Sequence, residues 1–334
     1  MAFALLCSFL FVVNIAAAAT NNVSERCHLQ DKNALLRIKE SFGDPYILSS
    51  WSPDTDCCRK WHDVFCSNVN NRVTEIQVVN AFVNGTIPDA IGDLSYLEFL
   101  FFHKLSNLTG PIPEALSSLK RLNDLKLSWN ALTGPVPDFL GRMKSVVSIN
   151  LSFNNFTGTI PPSLSSLPIL THLDLSRNAL SGSIPGTFGS FKVPGFVLVM
   201  SHNQLTGPIP KPVGVENFST LDLSWNWLTG DASYLFGSTK ALSYIDLSRN
   251  ALSFDFSDVK FPLSLQYLDI SHNMIHGRLP EGLMQLLGLG TFNASYNRLC
   301  GRIPVGGRLQ TFDQYSYVHN RCLCGAPLTP CKEK

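Results

Sequence analysis

The chain has 334 residues, a formal net charge of +1 and charged side chains at only 15% of positions. So even a balance offers no bulk field for nucleic acid or for an anionic membrane surface. The length would ordinarily divide between domains, but an array of repeats needs only one, because each unit buries its apolar residues against its neighbours.

The first 24 residues carry no charged side chain, and Phe3 to Ala19 is an apolar run that ends in four alanines before Thr20. This reads as a signal peptide over 1–19, although the basic start of such leaders is missing. An uncleaved anchor is the alternative. No later apolar run is long enough to span a bilayer, so the expectation is a secreted protein without a transmembrane segment.

Residues 20–72 do not repeat. DKNALLRIKESFG places Ala34, Leu35, Ile38 and Phe42 at helical spacing and ends at Gly43 and Pro45. Trp51, Trp61, Cys27, Cys57, Cys58 and Cys66 share this block, which reads as a lid over the first repeat.

Residues 73–299 carry about ten copies of one line, clearest in LTHLDLSRNALSGSIP at 170–185. An asparagine recurs at Asn107, Asn130, Asn154, Asn178, Asn203, Asn226, Asn250, Asn273 and Asn297. A spacing of roughly 24 residues is that of leucine-rich repeats. In each unit LxLxxN predicts a short strand with its leucines inward, and the asparagine is expected to satisfy backbone groups at the bend. Two units, GDASYLF at 230–236 and LSFDFSD at 252–258, lose the GxIP segment, so a strand there is doubtful. The insertion HKLSNLTG slips the register of an early unit. Residues 300–334 form a second lid with Cys300, Cys322, Cys324 and Cys331.

Of nine cysteines, Cys7 leaves with the leader and the rest gather at the two ends. An even number in a secreted chain reads as disulfides. Pairing in sequence order (27–57, 58–66, 300–322, 324–331) is expected, although each set allows other connectivities. A zinc site from Cys57, Cys58, His62 and Cys66 is disfavoured by an oxidising compartment, and no cofactor or metal is expected.

Four stretches beyond the repeat itself, WSPDTDCC, GDASYLFG, ALSFDFSDVKF and SYVHNRCLCGAPL, resemble the plant polygalacturonase-inhibiting proteins over nearly the whole mature chain. The resemblance implies an α/β solenoid, a plant-type leucine-rich-repeat right-handed superhelix with a concave parallel β-sheet and disulfide-bonded caps. It also implies a secreted protein of the cell wall or apoplast whose concave face binds fungal or insect endopolygalacturonase and blocks pectin cleavage, with pectin as a further possible ligand. A carrot relative of that family acts as an antifreeze protein. That function, or a role as ligand-binding partner of a receptor kinase, is the alternative.

Stacked parallel strands set equivalent positions about 4.8 Å apart. The residue before each asparagine therefore forms one column: Trp129, Phe153, Arg177, His202, Trp225, Arg249, His272 and Tyr296. Tryptophan, tyrosine and arginine are the types enriched at binding hot spots. Four residues before the asparagine a second column reads Lys126, Asn150, Asp174, Val199, Asp222, Asp246, Asp269 and Asn293. Like charges at that spacing repel by about 3 kcal/mol at an effective dielectric near 20, which suits a partner's basic region better than it suits folding. An apolar Val199 fits an interface centre. The docking set is therefore Asp174, Arg177, Val199, His202, Asp222, Trp225, Asp246, Arg249, Asp269 and His272. A serine row from Ser128 to Ser295 offers either an ice-matching hydroxyl ladder or, the favoured reading, tight packing beside the bend.

Asn-x-Ser/Thr motifs predict glycans at Asn22, Asn84, Asn107, Asn155 and Asn217. Asn150 and Asn293 also fit the motif but lie on the docking columns, where low occupancy is expected. Catalysis is excluded by pattern: His172, Asp174 and Ser176 mimic a triad, but alternating strand positions supply neither pocket nor oxyanion hole.

Overall fold

A computed structural model describes residues 27–214 and 218–332. The predicted leader, Asn22 and Asn217 lie outside the described residues. Within them the chain winds as a solenoid whose inner wall is a parallel sheet. Three-residue strands such as Asp124–Lys126, Ser148–Asn150 and His172–Asp174 pair in strict register, Leu125 with Ile149 with Leu173. The register continues through Phe196–Val199, Phe218–Asp222, Tyr244–Asp246, Tyr267–Asp269 and Thr291–Asn293. Strand alternation turns Leu173 and Leu175 into the core, where both are fully buried. Each such leucine contributes about 2 kcal/mol of apolar burial, and that term recurs in every coil.

The turn that ends each inner strand is built by the asparagine. Asn154 Oδ1 accepts the Leu132 N–H at 3.0 Å, while its Nδ2 donates to Leu127 O and Leu151 O at 2.8 and 3.1 Å. Asn178, Asn203, Asn226, Asn250, Asn273 and Asn297 repeat the pattern. The side-chain amide thus replaces the backbone partners that the bend removes. Among the described residues no buried side-chain nitrogen or oxygen lacks a partner.

Two details correct the sequence reading. Asn107 is not a rung of this ladder. The insertion puts buried Leu105 in its place, with the Leu105 N–H donating to Asn130 Oδ1 at 2.8 Å. Asn107 instead stands on the outer row, its amide donating to Asn84 at 2.9 Å. At the far end Asn320 is an extra rung, accepting from Leu299 N at 3.0 Å and donating to Ala294 O and Tyr317 O at 2.9 Å. The coil geometry therefore runs on into the second lid, where Cys322–Cys324 pairs in parallel with Arg298–Arg302.

Beyond the turn a second row of short strands forms, including Ala131–Pro135, Asn155–Gly158 and Ala179–Gly182. It leaves through glycines such as Gly134 and Gly158, at φ of 83° and 78°, where a side chain would be strained. The outer wall consists of short 3-10 turns entered through proline, as at Pro137 and Pro185. The two degenerate units behave differently from each other. Trp227–Gly230 keeps its strand and Ser233–Leu235 its helical turn, against expectation. The next unit shrinks to Ala251–Leu252 with one bridge from Asp255 to His276, and no helical turn occurs between 253 and 266. Phe236, Phe254, Phe256 and Phe261 pack there instead.

The first lid is a helix, Leu29–Ser41, whose Ala34, Leu35 and Ile38 are fully buried. Phe42, at its end, meets Phe102 edge to face. Asp31 is completely buried and ties the helix to the first coil, taking both forks of Arg72 at 2.7 and 2.8 Å and the Val73 N–H at 2.9 Å. Disulfides join Cys27 to Cys57, Cys58 to Cys66, Cys300 to Cys322 and Cys324 to Cys331, the sequence-order pairing. A zinc site from those N-terminal thiols has no free sulfur to use.

Candidate docking surface

The rim column has a backbone cause that sequence spacing does not reveal. Every residue before a ladder asparagine is in the left-handed region: Trp129, Phe153, Arg177, His202, Trp225, Arg249, His272 and Tyr296 all have φ between 52° and 59°. Non-glycine residues adopt this region at a cost of about 1–2 kcal/mol. From Trp129 to His272 the N–H of each donates to the serine carbonyl of the next coil, as from Arg177 to Ser201 at 2.9 Å, and Tyr296 donates to Val318 O at 3.0 Å. This turn tucks the asparagine inward and throws the preceding side chain out to the edge of the inner wall.

There the side chains stack. Trp129 lies on Phe153 at 3.7 Å between centroids, and Arg177 covers Phe153 at 4.9 Å. His202 lies on Trp225 at 4.9 Å, and Arg249 covers the same indole at 4.1 Å. His272, Tyr296 and His319 form a third group, with centroids 4.1 and 4.2 Å apart. Trp225 remains 47% exposed, so stacking orders the ring without removing it from water. Burial, then the neighbouring arginine, holds His202 and His272 below the ordinary histidine range.

The carboxylate column is partly structural. Asp174 Oδ1 accepts both the N–H and the hydroxyl of Ser176, at 2.9 and 2.6 Å. Asp222 does the same with Ser224 at 3.0 and 2.7 Å. One carboxylate oxygen thus closes the turn. The serine row is consequently buried, from Ser128 through Ser295, and offers no exposed hydroxyl ladder. Ser176 also points to Asp174 rather than to His172, so those two residues are not paired as nucleophile and base.

Asp246 departs from the expected row of water-facing carboxylates. It is 8% exposed, with Oδ1 taking the Ser248 N–H at 2.9 Å and Oδ2 lying 3.5 Å from the Tyr267 hydroxyl. Burial raises its pKa to about 6, with Asp222 and Asp269 adding to the rise and the Ser248 bonds opposing it. The cover is a pair of tyrosines that the column reading missed. Tyr244 and Tyr267 stack at 4.1 Å on adjacent strands, two residues before Asp246 and Asp269. Strand alternation in SYID and QYLD is the signal that would have placed them on the inner wall. Trp227, 68% exposed, was also missed; with His202, Trp225 and Arg249 it lines a hollow of about 400 Å³. Val199 stays half-buried between Asp174 and Asp222.

These features define a plant-type leucine-rich-repeat binding protein, a class without catalytic machinery. Among the described residues no helix is long and apolar enough to cross a membrane. Family models match as a leucine rich repeat N-terminal domain at 28–67 and as leucine rich repeats at 145–167, 170–191 and 216–275. Polygalacturonase inhibitor 1 of Arabidopsis thaliana is 56% identical, over 92% of this chain and 93% of that protein. The polygalacturonase inhibitor of Pyrus communis is 54% identical, over 93% of each. A crystal structure of a plant ice-binding protein superposes with a TM-score of 0.89 at 48% identity, covering 92% of this chain and 99% of that one. The chain belongs to the polygalacturonase-inhibitor family.

Proposed function

We propose that this protein is a secreted inhibitor of microbial or insect endopolygalacturonases, acting in the plant cell wall or apoplast as part of defence against pectin cleavage. The observation that carries the reading is the rim: aromatic and arginine side chains, thrown outward by a repeated turn and ordered by stacking, beside a row of carboxylates and half-buried Val199. Such residues lose little side-chain entropy when a partner covers them, and their types are those that anchor protein interfaces. The docking set is Asp174, Arg177, Val199, His202, Asp222, Trp225, Arg249, Asp269 and His272, with Asp246 beneath the tyrosine pair. Glycans at Asn84, Asn107 and Asn155 would decorate the outer row of strands and leave this face open.

Reducing-end release from polygalacturonan by a panel of fungal and insect endopolygalacturonases, at acidic pH and low salt, tests the reading. Inhibition of at least one enzyme, lost on Trp225→Ala, is expected. A panel that shows neither inhibition nor binding refutes it. The similarity to an ice-binding protein favours a second reading, tested by ice recrystallisation; burial of the serine row removes the surface on which that reading would most simply rest.

A further inference from the structure

Two places on the rim share a composition that docking alone does not require. Arg177 lies over the Phe153 ring and Arg249 over Trp225. In each case the next rung is a histidine, His202 after Arg177 and His272 after Arg249. Those imidazoles stack away from the arginine, on Trp225 and on Tyr296. Among the described residues neither guanidinium has a carboxylate within ion-pair distance. An aromatic face therefore lies beneath each guanidinium, while its N–H donors stay unpaired beside a histidine. A guanidinium fork matches a carboxylate through two parallel hydrogen bonds.

We propose that the slots between Arg177 and His202 and between Arg249 and His272 are two equivalent carboxylate receptors, which register a docked protein by two acidic side chains about 14 Å apart. The separation follows from three rungs of parallel strands. This assignment rests on the reading that the face docks a protein, and it adds the chemistry of the partner. Three residues before the rim on each strand runs the acidic row of Asp174, Asp222 and Asp269. A uniformly anionic chain seated in the slots would lie along that row and be repelled. A protein surface can set a basic ridge against the row and its carboxylates against the rim.

The slots also link docking to protons. His202 faces Arg177, Arg249 and Asp222, and His272 faces Arg249, Asp269 and His319. Burial, and after it the neighbouring arginine, makes each imidazole resist protonation while its slot is empty. An entering carboxylate favours the imidazolium. Docking therefore takes up protons, and it tightens as pH falls through the histidine range.

The test uses an endopolygalacturonase that the wild-type protein inhibits, with Arg177→Met and Arg249→Met, which keep the apolar stem over the ring. Each is expected to weaken inhibition at least about thirtyfold, the hot-spot threshold, at an unchanged thermal midpoint. The Lys variants should lose less, and Arg142→Met on the outer wall should lose nothing. Calorimetry in buffers of differing ionisation enthalpy should show proton uptake that His202→Gln and His272→Gln remove. Wild-type inhibition by both Met variants would overturn the receptors and leave the docking reading standing. Inhibition of no enzyme by the wild-type protein would overturn both. Binding of oligogalacturonides that the Met variants abolish, with enzyme inhibition intact, would assign the slots to uronate and overturn a protein ligand.

Discussion

Asp246→Asn should stabilise this protein near neutral pH and leave its stability unchanged in acid. The carboxyl is covered by Tyr244 and Tyr267 and flanked in register by Asp222 and Asp269, so folding raises its pKa from 3.8 to about 6. The folded protein therefore holds a proton that the unfolded chain has released between those values, and stability falls as pH rises through that window. Below about pH 3 both states are protonated and the penalty vanishes; above about pH 7 both are ionised and the penalty is complete. Each tenfold change in proton affinity is worth about 1.4 kcal/mol, so the native state carries up to about 3 kcal/mol at neutral pH. Asparagine keeps the shape and the oxygen that accepts from Ser248, but it carries no charge. Urea denaturation of the disulfide-intact protein should show the variant more stable by up to about 3 kcal/mol near pH 7.5, and equal to wild type near pH 3. A midpoint difference that is the same at both pH values would refute the reasoning. So would a variant that is less stable at neutral pH.

Three further outcomes follow from the same physics. Asn203→Ala orphans the Leu180 N–H and takes one of two amide donors from Leu175 O and Met200 O, which Asn178 and Asn226 still serve; it should cost about 1–3 kcal/mol in chemical denaturation, the penalty of a buried unpaired donor. Asp31→Ala leaves Arg72, whose side chain is 12% exposed, uncompensated at the seam between helix and first coil; a loss of about 3–5 kcal/mol is expected, with hydrogen exchange rising first in residues 29–41. Peptide mapping should find Asn150 and Asn293 poorly glycosylated beside Asn84, Asn107 and Asn155. Both lie on the docking columns, and full occupancy at both sites would count against a docking face there.

The coil, the lids and the disulfide pairing were legible because they are written in spacing. Leu173 and Leu175 alternate, the asparagine recurs, and cysteines sit only at the ends. What the columns hid was conformation and depth. A left-handed φ at Arg177 leaves no mark on spacing. The burial of Asp246 depends on which rings stand on the adjacent strands, a relation between coils rather than within one. Asn107 looked like a rung because NLTGPIP follows it much as NALTGPVP follows Asn130; only pairing across strands shows that Leu105 took the place. Asn320 escaped notice for the opposite reason, since the leucines that frame its predecessors have become Tyr317 and Cys322.

The left-handed turn also sets an alphabet for recognition. Each coil exhibits one residue outside the core, so that residue can change without disturbing the packing that holds the stack together. The conformation nevertheless rejects side chains branched at Cβ, and from Asn80 and Lys104 to His319 the rim has no valine, isoleucine or threonine. Retargeting such a scaffold to a new quarry would thus vary the rim freely among long, unbranched, planar or charged groups, and would exclude the branched residues that the neighbouring strands prefer.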